Sequence, residues 1–145
     1  MNKLHTKMNE YLANQMVGFV KLHNLHWYVQ GKGFFVLHEK FEELYDESAQ
    51  IIDDLAERIL TVGEKPVASL KKALELATLP ELEDKFISSE DAVAALHKDV
   101  EFWVEASKEL VTLAEEAGDV STADLFTGYI AAYEKLLWML NAYQA

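Results

Sequence analysis

The sequence predicts an all-α fold built from four long helices. In four long segments, apolar residues recur at intervals of three and four, which is the pattern of amphipathic helices. Only six Gly and two Pro occur among 145 residues, so few helix breakers interrupt these segments. The first and last links between segments are short, whereas the middle link is long. Together these observations favour a four-helix bundle with one crossover connection.

The first two predicted helices are joined by a glycine turn. Helix A is expected over about residues 3–29, where apolar side chains form one stripe. Gly31 and Gly33 then allow a tight reversal of the chain. Helix B is expected over about residues 36–62, and Gly63 is a suitable residue to terminate it.

The long middle link is predicted to hold a short amphipathic helix over about residues 69–77, with apolar residues on one side and paired lysines on the other. Helix C follows over about residues 89–117. Ser88, with an acidic residue three positions later, resembles a capping box at its start, and Gly118 ends it.

Helix D is predicted over about residues 121–141, with Ser121 and Asp124 as a second box-like start. It is apolar on more than one side, which favours burial on two faces and packing against another subunit. Two short links and one long crossover give the connectivity of ferritin-like bundles.

The composition limits the classes of protein that fit. The chain has the usual size of one domain, and it lacks cysteine, which excludes disulfides and thiolate metal sites. Its formal net charge is −12 and its 13 Lys and Arg are scattered, which argues against a nucleic-acid partner. We see neither a signal peptide nor an apolar run of membrane-spanning length, and therefore expect a cytoplasmic protein.

Two pairs of potential metal ligands lie on helices A and B. His26 and His38 flank the glycine turn, and Asp53 and Glu57 are one helical turn apart. Imidazole and carboxylate without sulfur suit iron, manganese or zinc. His38 and Asp53 are separated by about 22 Å along one helix, so they cannot bind the same metal within one chain. His38, Glu42 and Asp53 nevertheless share a helix face.

This shared face suggests a metal site between two chains. If two B helices pack antiparallel across a two-fold axis, His38 of one chain approaches Asp53 of the other, and the interface holds two equivalent sites. The ordinary site within one bundle needs Glu-x-x-His motifs, which the sequence lacks. The spacing leaves a second interpretation open, in which these residues belong to a solvated helix face.

The segment from His26 to Arg58 resembles the signature of the Dps family, the miniferritins. The shared residues are His26-Trp27, Gly31, Phe34-Phe35, His38-Glu39, Asp53 and Ala56-Glu57-Arg58. The resemblance covers residues 1–145 as a single Dps-type domain, a ferritin-like bundle with a short extra helix in the crossover. It implies a hollow dodecamer of tetrahedral symmetry that stores iron. The resemblance further implies a ferroxidase that oxidises Fe(II) at inter-subunit sites, preferably with hydrogen peroxide, and that thereby protects against oxidative stress.

The family's motif also implies roles for individual residues. The iron ligands would be His26 and His38 of one chain with Asp53 and Glu57 of its partner, and Glu42 stands where the family commonly has Asp. Trp27 would lie beside the site, where it could take up an oxidising equivalent. Acidic three-fold pores occur in the family near the start of helix D, the region of Glu115, Asp119 and Asp124. For Asp119 and Asp124, capping of the helix N-terminus is the competing explanation.

DNA binding and compaction without a major ferroxidase role is the alternative function that the resemblance brings. Several family members bind DNA through a flexible tail rich in Lys and Arg. Here only Lys3 and Lys7 precede or begin helix A, and the final residues NAYQA contain no basic side chain. We therefore expect iron(II) and peroxide, rather than DNA, as the partners of the assembled protein. A third interpretation is a structural bundle whose metal site has been lost, and the intact His and carboxylate pairs argue against it.

Overall fold

In the computed structural model, residues 2–145 are described, and these residues form five α-helices and one short pair of strands. The all-α prediction is confirmed, including the short crossover helix. In chain order the elements are α1 (Lys3–Tyr28), β1 (Val29–Gln30), α2 (Phe34–Thr61), α3 (Leu70–Leu76), β2 (Ile87–Ser88), α4 (Ser89–Glu116) and α5 (Val120–Gln144). No helix formed by residues 2–145 has a stretch long and apolar enough to cross a lipid bilayer.

The described chain divides into two compact units. The first comprises residues 5–92, which include most of α1, all of α2 and α3, and both strands. The second comprises residues 93–145 with residues 2–4, and it includes most of α4 and all of α5. The metal-ligand candidates all belong to the first unit, whereas the predicted pore residues belong to the second.

Large apolar side chains on α1 and α2 supply the buried core of the first unit. Burial of each such side chain contributes about 1.5–3 kcal/mol relative to exposure, so this core stabilises the helical hairpin on which the ligand candidates lie. The fully buried residues are Met8, Leu12 and Leu25 on α1 and Phe41, Leu55 and Ile59 on α2.

Buried asparagines on α1 bind the backbone of the long crossover. The Oδ1 atom of Asn9 accepts a hydrogen bond from the amide of Val67 at 2.8 Å. The Oδ1 atom of Asn14 accepts bonds from the amides of Thr78 at 2.8 Å and Leu79 at 2.9 Å. These side chains satisfy backbone donors that no regular element pairs, and they hold the crossover against α1.

The strand pair is a feature that the sequence analysis missed. Val29 pairs with Ile87 and Gln30 with Ser88, in a parallel arrangement only two residues long. The adjacent Ser89 hydroxyl donates to the Gln30 carbonyl at 2.7 Å and accepts from the Gly33 amide at 3.2 Å. The end of the crossover is thereby joined to the turn between α1 and α2.

The helix ends show which local predictions were right. Gly63, at φ +89°, ends α2, and Gly118, at φ +72°, ends α4, as predicted. The Ser88 hydroxyl accepts a bond from the Asp91 amide at 3.1 Å, which confirms the predicted cap of α4.

The start of α5 was predicted to within one residue, but its predicted cap, Ser121, was wrong by two residues. Asp119 is the N-cap, and its carboxylate accepts a bond from the Thr122 amide at 3.0 Å. Ser121 consequently lies inside the first helical turn and does not cap it. Asp119 lies directly before the first helical residue, Val120, and its carboxylate oxygen provides the acceptor that an N-cap requires.

Candidate metal centre

The two predicted histidine ligands contact each other across the turn between α1 and α2. The Nδ1 atom of His26 lies 2.6 Å from the His38 carbonyl oxygen, and the Nδ1 atom of His38 lies 2.7 Å from the His26 carbonyl oxygen. Their rings stack with centroids 3.7 Å apart and an interplanar angle of 12°. The turn therefore brings together two residues that are twelve positions apart in sequence.

These reciprocal hydrogen bonds determine the tautomer of both imidazoles. A carbonyl oxygen can only accept, so each Nδ1 must carry the proton and donate it. In the neutral ring, Nε2 then keeps its lone pair and can bind a metal. Metal-ligating histidines usually have such a bond on the other ring nitrogen, which orients the ring and raises the basicity of the ligand.

Glu42 and Tyr45, both on α2, lie beside His26. The Glu42 Oε1 atom is 3.8 Å from His26 Nε2, where His26 is buried and the Glu42 side chain is 55% exposed. The Tyr45 ring meets the His26 ring edge to face, at a centroid distance of 5.4 Å, and stacks on His23 at 3.8 Å. Burial raises the pKa of Tyr45, and the negative charges of Glu42 and Asp46 and a hydrogen bond to Glu42 raise it further.

Asp53 and Glu57 form a pair of exposed carboxylates near the other end of α2. The pKa of Glu57 is raised, first by the negative charge of Asp53 and then by a hydrogen bond between the two side chains, by burial and by Asp54. Two carboxylates one helical turn apart repel each other when both are ionised, and a bound cation would remove that repulsion. Carboxylate and imidazole together suit iron, so the donor set fits the predicted metal.

The histidine pair and the carboxylate pair remain apart within one chain. Helix α2 runs without interruption from Phe34 to Thr61, so His38 and Asp53 are about 22 Å apart along it. In one chain, residues 2–145 bring no three His, Asp or Glu side chains into a group that would hold a metal by itself. Each chain thus holds the ligand candidates as two separate pairs, here called the histidine half-site (His26 and His38) and the carboxylate half-site (Asp53 and Glu57).

The face of α2 that bears these residues also has exposed apolar side chains at its ends. At about 100° per residue, Phe35, Glu42, Asp53 and Leu60 lie within roughly 20° of one another. Phe35 is 83% exposed and Leu60 is 58% exposed. Single exposed apolar side chains are common on protein surfaces, and these two are of interest because they lie on the face that bears Glu42 and Asp53.

Trp27, predicted to lie beside the site, contacts the neighbouring His23. Their ring centroids are 5.3 Å apart, and Trp27 is 65% exposed. His23 itself is oriented by a 2.8 Å contact between its Nδ1 atom and the Phe19 carbonyl oxygen. Trp27 is therefore joined to the imidazole cluster through His23 and Tyr45.

The predicted pore residues differ in their local roles. Asp119 caps α5, and its second carboxylate oxygen also accepts a bond from the Thr122 hydroxyl at 2.6 Å. The capping role considered for Asp119 is confirmed. Asp124 and Glu115 are exposed. Asp124 lies beyond the N-cap and does not supply it.

Comparison with known proteins establishes the family. A family model described as a ferritin-like domain matches residues 6–145. DNA protection during starvation protein 2 of Bacillus anthracis is 46% identical over 136 residues, which cover 94% of this chain and 92% of that protein. The chain belongs to the Dps family of ferritin-like proteins. The ferritin-like fold predicted from the helix links is therefore confirmed.

Solved Dps structures share the fold over nearly the whole chain. The Dps protein of Bacillus brevis matches with a TM-score of 0.94 and 42% identity, covering 98% of this chain and 95% of that one. The DPS protein of Vibrio cholerae O1, described as a member of a broad superfamily of ferritin-like diiron-carboxylate proteins, matches with a TM-score of 0.93 and 38% identity. The match covers 99% of this Dps-family chain and 89% of the Vibrio protein.

The sequence analysis missed the place of Tyr45 in the histidine half-site. The apolar periodicity assigned Tyr45 to the buried stripe of helix B. Its position three residues after Glu42 and seven after His38 places it on the same side of the helix, and that spacing was the available signal.

Proposed function

We propose that this Dps-family chain is a ferroxidase that oxidises Fe(II), preferably with hydrogen peroxide, and stores the ferric product in a cage. The observation that carries the proposal is the reciprocal bonding of His26 and His38. A core histidine pair needs no particular tautomer, whereas here both rings are oriented with Nε2 as the remaining donor atom. This arrangement, with the other ring nitrogen hydrogen-bonded, is the usual one for histidines that bind a metal.

The complete site is proposed to form between two subunits. An antiparallel pair of α2 helices across a two-fold axis would place the histidine pair of each chain beside Asp53 and Glu57 of the other. The exposed Phe35 and Leu60, at opposite ends of the same helix face, would be buried against the partner. Assembly into a dodecamer of tetrahedral symmetry would repeat this interface and enclose a storage cavity.

In this proposal Fe(II) is the substrate, and the side chains have separable roles. The two imidazoles bind Fe(II) as neutral donors, while Asp53 and Glu57 bring negative charge that favours Fe(III) over Fe(II). One peroxide accepts one electron from each of two Fe(II) ions and takes up two protons, yielding two Fe(III) ions and two water molecules. Because both electrons are delivered, no hydroxyl radical is released. Trp27, joined to the cluster through His23, is proposed to absorb a stray oxidising equivalent.

Acidic residues of the second unit are proposed to guide Fe(II) into the cage. Negative side chains around a pore concentrate cations by electrostatic focusing. Asp119 already accepts two hydrogen bonds from Thr122 as the cap of α5, whereas Asp124 and Glu115 are exposed. We therefore assign most of this role to Asp124, with smaller contributions from Glu115 and Asp119.

We propose that protection comes from removal of iron and peroxide in the bacterial cytoplasm, without direct contact with DNA. The net charge of −12 per chain opposes binding to phosphate. Retarded migration of DNA at physiological salt and neutral pH would contradict this part of the proposal. We also propose that the two compact units act as one ferritin-like domain, since a single family model spans residues 6–145.

The experiment that tests the ferroxidase proposal measures Fe(II) loss after addition of half an equivalent of peroxide to iron-free protein. We expect a double substitution, Asp53→Ala with Glu57→Ala, to slow Fe(II) oxidation at least tenfold, on the scale of losses seen when groups around a metal are removed. The matched control is Glu105→Ala with Glu109→Ala, a second carboxylate pair one turn apart, on α4. Equal rates in parent and Asp53/Glu57 variant, with particle mass unchanged by light scattering, would refute the proposal.

A further inference from the structure

We propose that Phe34 is a positioning residue whose ring stacks on the His38 imidazole and holds the plane of that ring, so that the Nε2 atom of His38 is oriented for metal binding. This inference rests on the proposed metal-binding function and deepens it. The ligand pattern in the sequence consists of histidines and carboxylates, and it therefore does not include Phe34.

The ring of Phe34 contacts a ligand candidate directly. Phe34 begins α2, and His38 lies one helical turn later on the same face. Their rings are stacked, with centroids 5.0 Å apart and an interplanar angle of 18°. His38 is also stacked on His26, at 3.7 Å and 12°. The His38 imidazole is thus nearly parallel to two neighbouring rings, one from its own helix and one from α1.

The hydrogen bond of His38 and its stacking restrain different movements of the ring. The Nδ1 atom lies 2.7 Å from the His26 carbonyl oxygen, which determines the nitrogen that carries the proton. A single hydrogen bond still allows the ring to tilt about the axis of that bond. Tilting would disrupt the parallel contacts with both Phe34 and His26. The stack therefore fixes the plane that contains the Nε2 lone pair, along which a metal ion binds.

His38 depends on this restraint more than His26 does. The His26 side chain is buried, and the Tyr45 ring also packs against it at a centroid distance of 5.4 Å and an angle of 88°. His38 is only half-buried, so its ring has more space to rotate. Groups that orient a metal-binding histidine also raise its affinity for the metal, because less freedom is lost when the ion binds.

The backbone of Phe34 is anchored by the turn that separates the two histidines. The Phe34 amide donates a hydrogen bond to the Gly31 carbonyl at 3.1 Å. The preceding amide, of Gly33, donates to the Ser89 hydroxyl at 3.2 Å. The ring itself meets the Phe35 ring edge to face at 5.6 Å and 74°. Phe34 is thus held from both its backbone and its side chain, and it gives His38 a fixed surface to stack on.

The test uses Co(II) as a spectroscopic probe on the assembled, iron-free protein. Visible absorption gives the Co(II) affinity independently of oxidation activity. We expect Phe34→Leu, which keeps an apolar side chain and removes the ring, to weaken Co(II) binding about three- to tenfold, the factor that corresponds to the loss of one aromatic pair. Phe34→Tyr keeps the ring and should retain the affinity of the parent.

The matched control is Phe86→Leu. Phe86 is an exposed phenylalanine of the same unit, and its ring packs edge to face against Tyr28 at 5.5 Å. This variant should bind Co(II) as the parent does. An unchanged affinity in Phe34→Leu, or an equal loss in Phe34→Leu and Phe34→Tyr, would overturn the inference. Phe34→Met, which also lacks a ring and fills the space with a flexible side chain, provides the same comparison if the leucine variant fails to assemble.

A double-mutant cycle shows whether Phe34 acts through His38. His38→Ala alone should weaken Co(II) binding at least as much as Phe34→Leu does. Adding Phe34→Leu to His38→Ala should then cause no further loss, because the ring that Phe34 positions is already gone. General loosening of the fold would instead give losses that add, and additive losses would contradict the positioning role.

Failure of the proposed function gives a different result. If His26→Ala and Asp53→Ala leave the Co(II) affinity of the parent unchanged, or if the parent binds no Co(II), the metal centre itself is refuted, and the role of Phe34 with it. If both substitutions abolish binding while Phe34→Leu has no effect, only the positioning role is refuted.

Discussion

Substitution of Gly31 by alanine should cost about 2–5 kcal/mol of folding free energy, and the structure shows where this loss arises. Gly31 has φ +106°, a backbone conformation that L side chains rarely adopt, and a Cβ atom there would lie 3.0 Å from the Ser89 hydroxyl oxygen. The backbone strain accounts for about 1–2 kcal/mol. Displacement of the Ser89 hydroxyl would break its bonds to Gln30 and Gly33, at about 0.5–1.5 kcal/mol each.

Gly63→Ala is the matched control for this prediction. Gly63 also has a positive φ, +89°, but its added Cβ would meet nothing within 4 Å. It should therefore lose only the strain contribution of about 1–2 kcal/mol. We would compare both variants with the parent by denaturant unfolding of the metal-free protein at one protein concentration, because assembly makes stability concentration-dependent.

The turn at Gly31 lies between His26 and His38. With Co(II) as a spectroscopic probe of the proposed metal site, Gly31→Ala should also bind Co(II) more weakly than the parent. Gly63→Ala should bind it as the parent does. Equal losses of stability in the two variants would refute the close-contact explanation. A loss of stability in Gly31→Ala without any loss of Co(II) affinity would refute the link between the turn and the orientation of His26 and His38.

Two further predictions concern the faces of α2. Asp53 raises the pKa of Glu57 above its ordinary 4.5, so ionisation of Glu57 lowers the stability of the folded protein as pH rises from 4.5 through the folded pKa. Metal-free Glu57→Gln should therefore be more stable than the parent at neutral pH. In thermal melts this advantage should disappear below pH 4.5. Glu105→Gln, beside Lys108, is the control, and a Glu57→Gln variant less stable than the parent at neutral pH would contradict the repulsion. Phe35→Glu should reduce particle mass in light scattering because it places a charge in the proposed interface, whereas Val36→Glu, about 100° around the helix, should assemble normally. Identical masses for the two variants would exclude the proposed α2 interface.

The sequence predicted most of the fold because its helices depend on local periodicity and on a few glycines. Helices α1, α2 and α4 were placed within two residues of their ends, and Gly63 and Gly118 end helices as expected. The strand pair could not be predicted, since it consists of two residues from each of two distant segments and has no alternating pattern. The cap of α5 was misassigned because Asp119, Ser121 and Asp124 all offer acceptors within six residues, and only the structure shows that Asp119 bonds to Thr122.

The candidate site was predictable in one respect and not in another. The rise of a helix is sufficient to show that His38 and Asp53 cannot meet within one chain. Ring stacking and hydrogen-bond geometry depend on packing between α1 and α2, and the sequence does not specify them. The ring contacts of Tyr45 and the orientation of both imidazoles therefore became visible only in the structure.

The acceptors of the two histidine bonds are main-chain oxygens, and this affects how the site can change by mutation. Replacement of His38 removes one donor ring but leaves the His38 carbonyl that orients His26, and the converse holds for replacement of His26. No single side-chain substitution can therefore delete both acceptors. The half-site is vulnerable instead to insertions or deletions in the turn, which would change the register between α1 and α2 and move both carbonyls away from the rings. Selection on this feature would act on the length of the loop more strongly than on the identity of its residues.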